Sequence, residues 1–260
     1  MRRYLFGSVL LALAAPVGAQ SVSAWIARGD SLQDAILPGE ALNAYKAALA
    51  LDPAAYQALW RAARSQIDVA KRIRGDLDYT VAVRDSVYGE AEAFAGRAIA
   101  ADSAGADGWF TLATAMGQRA RTKGGRERVR YGRDIYNAAA RALALNPTHD
   151  GAHHVLGAWH AEVRRLSGVT RFVAQTFMGG GYMDRASWDS AIVHLEAAVR
   201  GRPNYLFHHL ELAEIYVDAN RPGDAIAQLE LIPSLPDTDV LDARYREEAA
   251  ALLERLRRGS

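Results

Sequence analysis

Cysteine is absent from the 260 residues, which excludes disulfide bridges, thiolate zinc sites, cysteine nucleophiles and cysteine-attached lipid. A surplus of charge is missing too: 31 Lys and Arg stand against 30 Asp and Glu, a formal +1. A chain so balanced has no overall attraction for nucleic acid, whose binders carry a basic excess on the domain or on one of its faces. No nucleic-acid partner is therefore expected. Long apolar runs are lacking beyond the N-terminus, so no later segment reaches the ~20 residues that span a bilayer. Alternating β-branched runs, the mark of strands, are lacking as well. What is plentiful is alanine, the residue that enters a helix at least cost, in a chain that is 50% hydrophobic. These features predict an ordered, all-α protein.

Residues 1–19 read as a signal peptide. Arg2 and Arg3 precede an apolar run from Tyr4 to Ala15, and Val17-Gly18-Ala19 ends on the small residues a signal peptidase accepts. The run falls short of a membrane span, so cleavage is expected to leave Gln20 as the N-terminus of a soluble, exported protein, periplasmic or extracellular. Loss of Arg2 and Arg3 changes the balance to 29 against 30, or −1.

From residue 20 to 258 apolar residues recur at spacings of three and four, with Gly or Pro at the breaks. The pattern also repeats at longer range. His209, Leu212, Ala213, Tyr216, Ala225, Leu229 and Ile232 fall, without a gap, at positions 4, 7, 8, 11, 20, 24 and 27 of a 34-residue unit, and Asn220-Arg221-Pro222-Gly223 supplies its turn. Trp25, Gly29, Ala41, Tyr45, Ala48 and Pro53 make a second ungapped copy. Three enlarged copies lie between them. Leu59, Ala62 and Ala63 pair with Ala91 and Ala98; Trp109, Leu112, Ala113 and Met116 with Ala142 and Pro147; His153, Leu156, Gly157 and His160 with Ala191, Leu195, Ala198 and Pro203. The small residues mark where two helices cross closely. This is the tetratricopeptide pattern, and it predicts a solenoid of about five antiparallel helix pairs over residues 22–237. Asp239 to Arg258 reads as a C-terminal capping helix, with Arg244, Glu247, Glu254 and Arg257 on its wet side.

Two stretches are more specific than the repeat. Leu59-Trp60-Arg61-Ala62-Ala63-Arg64 and His153-His154-Val155-Leu156-Gly157-Ala158-Trp159-His160-Ala161-Glu162-Val163, the latter followed by Leu166-Ser167, resemble the regulator of microtubule dynamics family. The similarity runs from about Pro53 to Leu256. It implies a tetratricopeptide fold and an interaction role, and it brings no catalytic residue. Characterised animal members are associated with microtubules and mitochondria, a setting from which a chain with an export signal departs.

The residues offer little to catalysis. His149, His153, His154 and His160 with Glu162 look like a metal cluster, but the register puts His153 and His160 at packing positions. His208, His209, Glu211 and Glu214 lack the His-Glu-x-x-His order of a hydrolytic zinc site. No Gly-x-Ser-x-Gly elbow occurs. Lys123-Gly124-Gly125 and Met178-Gly179-Gly180-Gly181-Tyr182 follow no strand, so they read as connections rather than phosphate cradles. Phe172, Phe177, Tyr182 and Met183 around the second are placed either to fold back on the repeat or to cover the groove. Neither a cofactor, nor a metal, nor an enzymatic activity is expected.

Two surfaces remain. Arg119, Arg121, Lys123, Arg126, Arg128, Arg130 and Arg133 crowd fifteen residues against a single Glu127, a patch for an anionic partner such as an acidic segment or an anionic lipid. The first helix of each repeat lines the concave side of such a solenoid, so the register nominates Trp60, Arg64, Phe110, Thr114, His154, Ala158, Leu210 and Glu214 as a partner-binding groove. The expected function is an exported, non-catalytic scaffold that binds a peptide or protein in that groove; the alternative is a lipid- or small-ligand-binding helical protein of the cell envelope.

Overall fold

The computed structural model describes residues 21–73 and 78–259; the signal-peptide expectation at 1–19 lies outside them. Every regular element among the described residues is helical: α1 (Val22–Asp34), α2 (Pro38–Leu51), α3 (Tyr56–Lys71), α4 (Asp78–Ala101), α5 (Ala106–Ala120), α6 (Gly125–Leu145), α7 (Asp150–Arg165), α8 (Gly168–Phe177), α9 (Trp188–Gly201), α10 (Leu206–Asp218), α11 (Pro222–Leu231) and α12 (Asp242–Gly259), with short 3₁₀ turns at Gly181–Arg185 and Ile232–Ser234. Five pairs pack side by side, α1 with α2, α3 with α4, α5 with α6, α7 with α9 and α10 with α11. The first helices of successive pairs also touch, α3 with α5 and α5 with α7, forming a tetratricopeptide solenoid closed by α12.

The crossing positions behave as the spacing requires. Ala41, Ala48, Ala62, Ala63, Ala91, Ala98, Ala113, Ala142, Ala191, Ala198, Ala213 and Ala225 are all fully buried. Gly157 leaves room for the side chain at position 24 of its own repeat, since a Cβ there would fall on Leu195 Cδ2 and lie 3.1 Å from the Ala191 carbonyl. Overpacking of that kind costs ~1–3 kcal/mol.

Position 4 explains two of the seven histidines. Trp109 Nε1 donates to the carbonyl of Ser103 at 3.0 Å, and the Nε2 atoms of His153 and His209 lie 3.0 and 2.8 Å from the carbonyls of Pro147 and Pro203. Each ring thus presents a nitrogen to the carbonyl six residues back, in the turn that joins its repeat to the one before. Asp52, Asp102 and Asn146 fix three of those turns by accepting the backbone N–H two residues on, the habit that favours Asx residues there.

The two ungapped repeats share one turn, Asp34-Ala35-Ile36-Leu37-Pro38-Gly39 and Asp218-Ala219-Asn220-Arg221-Pro222-Gly223. In both the third residue is left-handed (Ile36 φ 59°, Asn220 φ 60°) and the next N–H reaches back five residues, Leu37 to Leu32 and Arg221 to Tyr216, a Schellman closure. Asn tolerates that backbone; for Ile it costs roughly 1–2 kcal/mol.

The enlarged repeats absorb much of their extra chain as helix. α4 runs for 24 residues and α6 for 21, so Arg126 to Arg133 belongs to α6 rather than to a loop. In the fourth repeat the insertion becomes α8 and the 3₁₀ turn. Part of it folds back: Tyr182 Oη donates to the Val129 carbonyl at 2.6 Å, and Met183 is buried in one cluster with Trp159, Val163 and Ile135. Phe172 and Phe177 stay exposed.

Candidate functional site

The concave side divides into an open and a filled half. In the open half, Trp60 on α3 is half-buried, its indole N–H bonded to Gln57 Oε1 at 3.0 Å and Arg61 lying 4.2 Å from its ring centroid. Arg61 is held there by Asp30 of α1 at 2.7 Å. One helical turn on, Arg64 is half-exposed and makes no ion pair with a described residue. On α5, Phe110 packs its ring against His149 (4.6 Å between centroids) and against Gly151, which opens α7. The Thr114 hydroxyl donates to the Phe110 carbonyl at 3.0 Å. A small strip of aromatic, cationic and hydroxyl groups thus faces solvent.

The other half is occupied by the protein itself. Lys71, the last residue of α3, places its ammonium 2.9 Å from Asp68 and 2.9 Å from Asp239, which precedes α12. Asp239 also accepts from Tyr205 Oη at 2.8 Å, while Asp68 accepts from Gln33, whose amide oxygen accepts from Ser65. One buried polar chain therefore runs from α1 through α3 to the turns before α10 and α12. Burial opposes the charge on Lys71, but Asp68, Tyr205 and Asp239 outweigh it and hold the ammonium well above its ordinary pKa. Asp239 is held low for the reciprocal reason: Lys71 and the hydrogen bonds overcome the cost of burial.

His154 completes this half. It lies between Phe207 and His208 (4.9 and 4.8 Å between centroids) with its Nδ1 2.9 Å from His208 Nδ1. His208 Nε2 is 3.4 Å from Asp150 Oδ2; since a carboxylate only accepts, Nε2 carries the proton, and His154 donates to His208 Nδ1. Burial, then the neighbouring His208 and Lys71, push His154 well below the ordinary histidine range. Asp150 is drawn down to about 2, its hydrogen bond and attraction to His208 outweighing burial. Both imidazoles are neutral hydrogen-bonding groups, and among the described residues no three His, Asp or Glu gather in a set that could hold a metal ion.

The remaining groove candidates fall on both sides of this division. Ala158 is half-exposed on α7. Glu214 lines an open cleft of about 390 Å³ with Arg165, Val217, Asp218, Glu248 and Leu252, and lies 3.9 Å from Arg165. Leu210 corrects the expectation: it is 1% exposed, in one apolar cluster with Tyr245, Ala249 and Leu252 of α12, because the C-terminal helix lies against α10. The groove positions of the register did not include Lys71, Glu211 or Asp239. One signal was available: Lys71, Arg121 and Arg165 stand sixteenth in their repeats, a row of cations on the concave helices. Glu211, opposite, is raised to about 7 by burial and by Glu214, against the pull of Arg165 and Arg121.

The arginine patch does not hold together as one surface. Arg119 is tied to Asp85 and Glu92 of α4 at 3.2 and 2.8 Å, and Lys123 to Asp85 at 3.0 Å. Both are internal ion pairs, made because the long α4 brings its carboxylates to the end of α5, and neither is free for a partner. Arg121 is exposed and close enough to Glu211 to influence its ionisation. Arg126, Arg128, Arg130 and Arg133 are exposed on α6, and three of them, Arg126, Arg130 and Arg133, line an open cleft of about 500 Å³ with Glu127, Val129, Met178 and Gly179. Among the described residues no helix is long and apolar enough to cross a membrane.

The sequence matches the family described as regulator of microtubule dynamics protein 1-3 over residues 25–257. Among solved structures it is similar to a thermophilic tetratricopeptide protein of Thermus thermophilus, with 19% identity, 90% of this chain and 100% of that one covered, and a TM-score of 0.65. It is also similar to PilF of Pseudomonas aeruginosa, with 15% identity, 92% and 93% covered, and a TM-score of 0.53. At such identity these likenesses bear on the fold. Among the curated proteins none matches.

Proposed function

We propose that this chain, which belongs to the regulator of microtubule dynamics family, is an exported, non-catalytic scaffold that docks a peptide or protein on the open half of its concave side. The observation that carries the reading is the half-exposed strip of Trp60, Arg64 and Thr114 beside Arg61, an aromatic anchor next to Arg64, a cation that makes no ion pair among the described residues. Aromatic and arginine side chains of this kind dominate protein interfaces. The filled half acts as a frame, holding the ends of the array in register through Lys71 and Asp239. Export rests on the sequence alone: the charged and apolar segment before Gln20.

Crosslinking in the native host followed by identification of partners tests the docking. Trp60→Ala with Arg64→Ala should abolish the partner while the protein still unfolds in one cooperative transition, at a somewhat lower melting temperature because Trp60 also packs on the core that holds Tyr45 and Leu59; an unaltered partner set removes the groove reading. The mature N-terminus, read by mass spectrometry, should be Gln20. The second reading, a small anionic ligand, draws on the cleft between α6 and Met178-Gly179; native mass spectrometry of protein from its own host would detect such a ligand as added mass.

A further inference from the structure

α8 turns its apolar face outward. Val169, Phe172 and Phe177 are 76%, 61% and 65% exposed, and with Thr176, also exposed, they stand at i, i+3, i+7 and i+8, one side of a helix. The residue this helix buries is Ala174, so its smallest side faces the protein. Packing on the repeat cannot account for three large apolar side chains in water. Nor is the segment loosely held. Ser167 Oγ accepts the Thr170 N–H at 3.1 Å, and the amides of Met178 and Gly180 both donate to the Ala174 carbonyl.

Cations border this face. Along α6, Arg126, Arg130, Arg133 and Arg141 are all exposed and share one side of the helix by their spacing. Arg126 Nη2 is 3.4 Å from the Phe177 carbonyl, and Arg126, Arg130 and Arg133 line one cleft with Met178 and Gly179, which follow α8. Glu127, 3.7 Å from Arg130, and Asp134, 3.2 Å from Arg133, offset only part of this charge.

We propose that α8 and the arginine side of α6 form a docking surface for an anionic lipid bilayer, with Phe172 and Phe177 entering the interfacial region and Arg126, Arg130 and Arg133 on the phosphate head groups. Apolar bulk ringed by cations is the chemistry of helices that lie in a charged membrane surface. A backbone closed at both ends suits that medium, which satisfies no stray amide. Side chains projecting singly with more than half their surface exposed suit a deformable layer; a protein partner needs a contiguous patch of several hundred Å². The surface lies apart from Trp60 and Arg64, so it goes beyond the scaffold reading: it would hold the scaffold at a membrane with its concave side free.

Vesicle flotation of the purified protein tests this. It should float with vesicles of phosphatidylcholine containing phosphatidylglycerol, not with phosphatidylcholine alone, and less as salt rises. Phe172→Ser with Phe177→Ser should weaken binding at least about tenfold, and Arg126→Ala, Arg130→Ala and Arg133→Ala by about fivefold each. All five side chains are exposed, so the variants should melt with the parent, and a variant that does not is replaced by Phe172→Gln or Arg130→Gln. Failure to float with anionic vesicles, equal binding to neutral ones, or binding that survives either set of changes overturns the proposal. So does capture of a soluble polyglutamate peptide without flotation, which would assign the arginines to an acidic protein segment.

Discussion

Trp60 and Leu210 hold the same place in their repeats, fifth in the first helix, yet Trp60 borders solvent while Leu210 is sealed in a cluster with Tyr245 and Leu252. Arg64 and Glu214, ninth in theirs, are both half-exposed and differ in what lies beside them: Arg64 has no ion pair among the described residues, whereas Glu214 faces Arg165, which is also bound to Asp218 at 2.7 Å. A repeat register therefore specifies which way a side chain points, and what lies opposite specifies whether anything can reach it. At one end of the array nothing described folds over the concave side; at the other, the turn before α12 and the helix itself do.

The largest effect should come from the contact that joins the halves. Lys71→Met leaves Asp68 and Asp239 buried and unpaired, and breaking a buried ion pair from one side typically costs ~3–5 kcal/mol. The melting temperature should fall by roughly 10 °C, and hydrogen exchange should rise in α12 before it rises in α1 and α2. Equal exchange throughout would mean that the filled half is not held by Lys71.

A smaller effect should depend on pH. Glu211 titrates near 7 when folded and near its ordinary value when unfolded, so its contribution to stability is fully present below about pH 4.5 and is lost as pH rises through 7. Glu211→Gln should therefore raise the melting temperature by a few degrees at pH 8 and leave it unchanged at pH 4.5. A gain of the same size at both pH values would show that the Glu211 carboxyl is not the strained group.

The smallest effect compares the two matched turns. Ile36→Asn places at the first turn the residue that the last turn carries at position 220 and should stabilise the protein by about 1 kcal/mol, measured by denaturant unfolding. No gain would mean that Ile36 recovers its backbone cost through packing.

Much of the fold was legible because the constraint is local. Two helices that cross closely need small residues at set offsets, so Ala62, Ala113, Ala198 and Ala225 announce themselves. His153 and His160, at positions 4 and 11, were readable as packing residues for the same reason. The groove residues were legible only in direction. Arg119 and Lys123 show the limit most clearly: seven cations in one run look like one patch, and their division depends on Asp85 and Glu92, carried on the partner helix α4. Phe172 and Phe177 could be assigned to the insertion, but not to its wet side.

By itself, then, the sequence determined an all-helical array of five pairs, its close crossings, its turns and the outward direction of each first helix, because every one of those depends on residues within a single 34-residue unit or its neighbour. Only the tertiary structure decided that half of the concave side is filled, since the bond that marks the closure joins Lys71 to Asp239 across 168 residues. No periodicity encodes a contact at that distance; it follows from how the small rotations between successive repeats add up along the array.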